Sequence, residues 1–178
     1  MPHAPAAPAL GPALTALRVG AIAAAALALQ ACGPQLPKGV DPDKLQEAVS
    51  EAIGAPQTCM LIGRKGSGQV AWRYNTHTVC ARALPACDRP ALRTVDDLLK
   101  ATAKDGQPRM LSCNSTADGS RGVGWASGAI PSRDLVWAAV MEGEHALPGR
   151  IMTDEVTGAL QDSGLAPTPP SAPVRKAR

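Results

Sequence analysis

The sequence predicts an α+β domain: a five-stranded antiparallel sheet flanked by helices, in the element order α-β-β-α-β-β-β-α. Five short segments are apolar or alternate between apolar and polar residues, and turn-forming residues bound them, which is typical of strands. Three other segments carry helix signals, which are apolar residues at helical spacing, N-terminal capping residues or a terminating Gly. Because most strand candidates follow one another without a helix between them, the order favours hairpins over parallel crossovers.

The first three elements are a helix and a hairpin. A helix is predicted over 42–53, because apolar side chains recur on one face and Gly54 ends the pattern. Residues 58–64 predict a buried strand and residues 69–75 a second strand, joined by the turn "KGSG". The alternation in the second strand places on one face Val70, Trp72 and Tyr74. It places on the other face Ala71, Arg73 and Asn75.

The remaining elements follow a Cys- and Pro-rich loop at 76–92. A helix is predicted over 94–106, because Thr94 is a preferred N-cap residue and the acidic residues after it suit the helix dipole. Three further strands are predicted at 108–113, 122–130 and 134–142. A last helix is predicted over about 150–163, before Gly164. Its first turn is expected at Thr153, Asp154 and Glu155.

The N-terminus predicts export. Residues 19–29 are apolar, too short a run for a membrane span of about 20 residues but typical of a signal-peptide core. "LQAC" at 29–32 resembles a bacterial lipobox, in which Cys32 would be acylated after cleavage. The resemblance implies anchoring to the membrane by lipid on Cys32, at the periplasmic face of the envelope, and Gly33 favours the outer membrane. An ordinary signal peptide cut nearby is the alternative.

Four segments are therefore expected. They are a lipoprotein signal peptide at 1–31, a lipid-anchored tether at 32–41, a single α+β domain at 42–165 and a disordered Pro-rich tail at 166–178. Removal of the signal peptide takes away one of the 18 basic residues and none of the 15 acidic ones. The remaining charge is close to balanced, and the chain has no Phe and one Tyr, so nucleic-acid binding is not expected.

Four cysteines remain after the predicted cleavage. They are Cys59, Cys80, Cys87 and Cys113. An even number in an exported chain predicts two disulfides, and three pairings are open. A metal site that also uses His77 is the alternative, but the cysteines lack CxxC spacing, so we expect neither a metal nor another cofactor.

The element order and several short motifs resemble the α/β core of the penicillin-binding protein and serine β-lactamase superfamily. The motifs are "GQVAWRYN", "CARALPACDRP", "SCNSTADGSRGVGWASGAI" and "VWAAVMEGEHALPGRI". The first motif resembles the second core strand, and the second resembles the region of the nucleophile in class D enzymes. The third resembles the Lys-Thr-Gly strand and the strand after it. The fourth resembles the last strand and the start of the last helix. The resemblance covers about 57–165. The alternative is an unrelated small sheet domain of roadblock or profilin type, which has a similar strand order.

The catalytic motifs of that superfamily are not retained. The resemblance places Cys87 where the nucleophilic Ser would be and Pro90 where the Lys would be, and Pro cannot accept a proton. Residues 112–114, "SCN", replace the Lys-Thr-Gly motif. Hydrolysis of a β-lactam is therefore not expected.

Other residues could supply different chemistry. Cys87 could act as a thiol nucleophile with His77 as its base, although a disulfide is favoured. Ser115, Thr116 and Asp118 could form a hydroxyl–carboxylate site, although turn hydrogen bonds are favoured.

Binding candidates lie in the next strand. Arg121 could bind a carboxylate or phosphate, or lie on the surface beside Asp118. Gly122, Gly124 and Gly128 permit close approach of a ligand or another backbone, which suggests a groove beside this strand. Trp125 is a further binding candidate, although a place in the core is favoured.

The function expected from the sequence is a lipid-anchored envelope protein that acts as a non-catalytic binding or structural module. Its partner would be an envelope protein, a peptide or a glycan. The alternative is a small periplasmic hydrolase or acyltransferase of β-lactamase-like architecture. Glu142 and Glu144 alternate near the end of the last strand, but that spacing is too common to indicate a catalytic pair.

Overall fold

The computed structural model describes residues 35–168. The predicted signal peptide, the lipidation residue Cys32 and residues 169–178 of the predicted tail lie outside the described residues. The helices are α1 (Pro42–Ile53), α2 (His77–Cys80), α3 (Val95–Asp105) and α4 (Gly149–Asp162). The strands are β1 (Thr58–Arg64), β2 (Val70–Tyr74), β3 (Leu84–Pro85), β4 (Leu92–Arg93), β5 (Arg109–Asn114), β6 (Gly122–Ala129) and β7 (Leu135–Gly143).

Five strands form one antiparallel sheet in the order β2-β1-β7-β6-β5. The predicted α+β fold with its antiparallel sheet is confirmed. The loop predicted over 76–92 also contains structure, because it forms α2 and a two-stranded hairpin of β3 and β4. Two-residue strands and a four-residue helix are too short to leave a periodic pattern in the sequence.

The sheet is buried on both faces. Helices α1 and α4 pack on one face, where the core includes Leu45, Val49, Met60, Ile62, Trp137 and Met152. Helix α3 packs on the other, where the core includes Leu61, Leu98, Leu99, Val123, Trp125 and Val140. Strands β1, β6 and β7 therefore read as nearly continuous apolar runs, because neither of their faces meets water.

The two predicted helices in the second half differ in how they begin. Thr94 caps α3 as predicted, and it forms a reciprocal capping box with Asp97. Helix α4 begins at Gly149, one turn before the predicted first turn, and has no side-chain cap. The amide of Gly149 instead donates to Ser112 Oγ at 2.9 Å, so a contact from another strand satisfies it.

Strand β2 departs from the predicted alternation. Trp72 pairs with Ile62, but Val70 pairs with Gly63, so β2 advances two residues while β1 advances one. This bulge turns Val70 to the α3 face, whereas Trp72 and Tyr74 lie on the opposite face. The prediction that Val70 shares a face with Trp72 and Tyr74 is therefore wrong.

Packing contacts continue past both predicted ends of the domain. Leu36 and Val40, from the segment predicted as a tether, pack against the core of α1 and α4. At the other end Ala166, one residue past the predicted limit, is buried beside Leu165, and the amides of both donate to the carbonyl of Leu160.

Two disulfides are present, as predicted, and the structure decides their pairing. Cys59 in β1 is bonded to Cys80 at the end of α2. Cys87, in the loop between β3 and β4, is bonded to Cys113 in β5. Both bonds therefore fasten the irregular segment between β2 and α3 to the regular sheet.

Candidate functional site

The loop between β5 and β6 holds several of the predicted catalytic candidates. The exposed carboxylate of Asp118 accepts hydrogen bonds from the Ser120 amide at 3.1 Å and the Ser120 hydroxyl at 2.8 Å. Hydrogen bonds from Thr116 and Ser120 lower the pKa of Asp118 to about 2. The Arg121 amide donates to Thr116 Oγ1 at 3.2 Å. These bonds close the loop on itself, so Asp118 and Thr116 form the turn.

Glu142, near the end of β7, is a buried carboxylate whose side chain is 5% exposed. Arg121 donates to it through Nε at 2.8 Å and through Nη2 at 3.0 Å. Ser115 Oγ donates at 3.0 Å, and Arg82 Nη2 donates at 3.1 Å. We call these four residues the Glu142 cluster. It joins the segment after α2, the β5–β6 loop and the end of β7.

The Glu142 cluster changes the interpretation of two predicted residues. Arg121 pairs with Glu142 and not with Asp118, and the Ser115 hydroxyl donates to Glu142. Hydrogen bonding from Arg121 is the largest cause that lowers the pKa of Glu142 to about 2. A carboxylate with so low a pKa is a weak base at neutral pH, so it is poorly suited to activate the Ser115 hydroxyl as a nucleophile.

Cys87, the other nucleophile candidate, has no free thiol because its sulfur is bonded to Cys113. A reaction that uses Cys87 with His77 as base therefore lacks its nucleophile in this structure. The loop that carries Cys87 is held at a second point, where Trp125 Nε1 donates to the Pro85 carbonyl at 2.8 Å.

The glycines of β6 accommodate the chain's own backbone. A Cβ atom on Gly124 would lie 1.9 Å from the carbonyl oxygen of Leu147, in the segment that leads into α4. Trp125 is fully buried under α3. Gly122 lines a cavity of about 200 Å³ that also borders Asn114. Close approach occurs at Gly124, and its partner is another backbone segment.

A cavity of about 410 Å³ lies between β2, α2 and the start of α3, and we call it the α2 cavity. Leu61, Val70 and Cys80 give it an apolar wall. The Cys59–Cys80 disulfide holds α2 against β1 at this wall. The bulge in β2 contributes as well, because it turns Val70 toward α3.

Polar residues line the rest of the α2 cavity. Arg73 Nε is buried and has no hydrogen-bond partner among the described residues. Asp96 lines it too, and its carboxylate pairs with Lys100 at 2.5 Å. His77 is exposed at the start of α2, and Thr94 caps α3. Sequence reasoning missed this site, because alternation alone did not show that Arg73 and Val70 line one cavity.

Within residues 35–168, no three His, Cys, Asp or Glu side chains are placed to hold a metal ion. In the same range, no helix is both long and apolar enough to cross a membrane. Comparison with models of protein families, with curated proteins and with solved structures gave no match.

Proposed function

We propose that this protein is a lipid-anchored cell-envelope protein whose disulfide-bonded domain is a non-catalytic binding module, with the α2 cavity as its ligand site. The Cys59–Cys80 disulfide is the observation that carries the proposal. Disulfides persist in oxidising compartments, which supports export. The same bond holds one wall of the α2 cavity in place, and a pre-formed cavity is what a ligand site requires.

The non-catalytic part of the proposal follows from the candidates for nucleophile. Cys87 is in a disulfide, and the Ser115 hydroxyl donates to a carboxylate whose pKa is about 2. Ser112, in the segment that replaces the Lys-Thr-Gly motif, accepts a hydrogen bond from the Gly149 amide. The relation to the penicillin-binding protein superfamily stays part of the proposal, and the element order with its antiparallel sheet supports it.

Lipid anchoring is tested by replacing the predicted acylated cysteine. The wild-type protein, expressed in a Gram-negative host, should incorporate labelled palmitate and fractionate with the outer membrane. Cys32→Ala should lose the label. Equal labelling of the wild type and Cys32→Ala would contradict acylation at this residue.

Ligand binding in the α2 cavity is tested with a library of neutral and anionic fragments. The exported full-length protein is purified in mild detergent, and the shift of its melting temperature is measured for each fragment. Ala81→Trp places a large side chain at the rim of the cavity, so fragment-induced shifts should disappear. Glu47→Trp, on the exposed surface of α1, is the matched control and should keep them. Shifts that persist in Ala81→Trp, or no shift in the wild type, would refute the assignment.

The hydrolase alternative is tested with a fluorescent penicillin on the same preparation. A covalent adduct that survives denaturation and maps to Ser115, or to Cys87 without reductant, would replace the binding module with an enzyme. We expect no adduct.

A further inference from the structure

We infer that the α2 cavity binds a small organic carboxylate, which the guanidinium of Arg73 holds while the apolar part of the ligand lies on Leu61 and Val70. This inference rests on the binding function proposed above and names its ligand class.

The position of Arg73 in the sheet is the first step. Arg73 pairs with Leu61 in the β1–β2 ladder, and Leu61 is buried in the core on the α3 face. The side chain of Arg73 lines the α2 cavity together with Val70, which the bulge turns to the same face. The strand thus presents a cation inside a partly apolar cavity.

Unsatisfied hydrogen bonding at Arg73 is the second step. Its Nε atom is buried without a partner among the described residues, although buried polar atoms in folded proteins are nearly always hydrogen-bonded. A guanidinium presents its N–H groups as a planar fork that fits the two oxygens of a carboxylate. Because Nε itself has almost no solvent-accessible surface, a carboxylate in the cavity would accept from the terminal N–H groups of this guanidinium.

Charge balance is the third step. Within residues 35–168, Arg73 forms no ion pair with a carboxylate. Asp96, the acidic residue that lines the cavity, is paired with Lys100. One positive charge therefore remains, and a monovalent carboxylate balances it. A phosphate dianion would bring a second negative charge toward Asp96, which makes it the poorer ligand.

The volume and walls of the cavity set the size of the ligand. At about 410 Å³ the cavity lies toward the small end of the range of about 300–1,000 Å³ that small-molecule pockets span. Leu61 and Val70 offer hydrocarbon surface for a short apolar group. A carboxylate with a branched or aromatic group of modest size satisfies both conditions.

The test compares carboxylates with neutral molecules of the same shape. Isothermal titration calorimetry on the exported full-length protein in detergent uses N-acetyl-leucine against N-acetyl-leucinamide, benzoate against benzamide, and inorganic phosphate. We expect each carboxylate to bind at least about tenfold more tightly than its amide and than phosphate, because a charge-assisted hydrogen bond is lost in the amide.

Variants locate the binding. Arg73→Gln should weaken carboxylate binding about tenfold or more, and Arg73→Lys should be intermediate because it keeps the charge without the fork. Arg150→Gln removes the same charge from the exposed surface of α4, on the other face of the sheet, and should bind like the wild type. Ala81→Trp keeps Arg73 and blocks the cavity, so it provides a second test if Arg73→Gln fails to fold.

Three outcomes would overturn the inference. Amides that bind as well as carboxylates would leave the α2 cavity as a ligand site but remove the carboxylate as its ligand. Phosphate that binds as tightly as the carboxylates would likewise leave the α2 cavity as a ligand site but remove the preference for a carboxylate. Carboxylates that bind unchanged to both Arg73→Gln and Ala81→Trp would show that they bind elsewhere, which refutes the inference; the proposed function fails separately, if the fragment-induced shifts also persist in Ala81→Trp.

Discussion

Arg121 donates two hydrogen bonds to Glu142, one to each carboxylate oxygen, at 2.8 and 3.0 Å. The pair joins the β5–β6 loop to the end of β7, and Glu142 is buried while Arg121 is 38% exposed. Ser115 and Arg82 complete the partners of the carboxylate. These contacts fix the β5–β6 loop, which is rich in hydroxyl side chains and Gly, to the end of strand β7.

Loss of Arg121 should destabilise the domain. Arg121→Gln removes a two-point contact from a buried carboxylate, and we expect the free energy of unfolding in urea to fall. The fall should be modest, because Arg121 is partly exposed and Arg82 still pairs with Glu142. Arg150→Gln, which removes a solvent-exposed charge, should change it little. Equal effects of the two substitutions would show that the Glu142 cluster does not contribute to stability.

Stability should fall at acid pH, in part through Glu142. The pKa of Glu142 is lowered from 4.5 to about 2 in the folded protein, so its ionised form stabilises the fold above the unfolded value. That contribution is lost as the pH falls from about 5 toward 2. Urea unfolding measured across this range should show a smaller decrease for Glu142→Gln than for the wild type. Glu155→Gln, at an exposed position, should follow the wild-type curve. A Glu142→Gln curve parallel to the wild-type curve would show that Glu142 does not contribute to the loss of stability at acid pH.

The two disulfides should be closed in the purified protein. Without reductant, none of the four cysteines within residues 35–168 should react with an alkylating reagent, as mass spectrometry will show. Replacement of Cys87 and Cys113 by Ser should lower the free energy of unfolding by about 2–4 kcal/mol, because the bond closes a loop of 26 residues in the unfolded chain. Alkylation of Cys87 in the absence of reductant would refute this bond.

A pair of glycine substitutions should have opposite effects. Gly124→Ala would place a Cβ atom 1.9 Å from the Leu147 carbonyl oxygen, so the backbone must move and we expect a loss of about 2 kcal/mol or more. Gly158, in α4, has open space at the same position. Gly158→Ala should stabilise the helix by about 0.5–1 kcal/mol. Thermal unfolding of the two variants, measured side by side, distinguishes them, and an unchanged melting temperature for Gly124→Ala would contradict the observed packing.

Much of the fold could be predicted from the sequence, because its causes are local. The apolar stripe of α1, the Thr94 cap of α3 and the apolar runs of the strands are patterns within single segments. The even number of cysteines predicted two disulfides but not their pairing. The α2 helix and the β3–β4 hairpin were missed, because their few residues are held by the disulfides and by Trp125 more than by any pattern of their own.

The sequence by itself determined the order of the three long helices and the five main strands, the antiparallel sheet and the number of disulfides, since spacing, caps and turns act over a few residues. Only the tertiary structure decided which groups meet. Arg82 reaches Glu142 across 60 residues of chain, and Cys87 reaches Cys113 across 26. Arg73 lines the α2 cavity because a bulge in β2 and a disulfide to α2 bring three elements together. Contacts between distant segments depend on how the elements pack, and the pattern within each segment does not encode that packing.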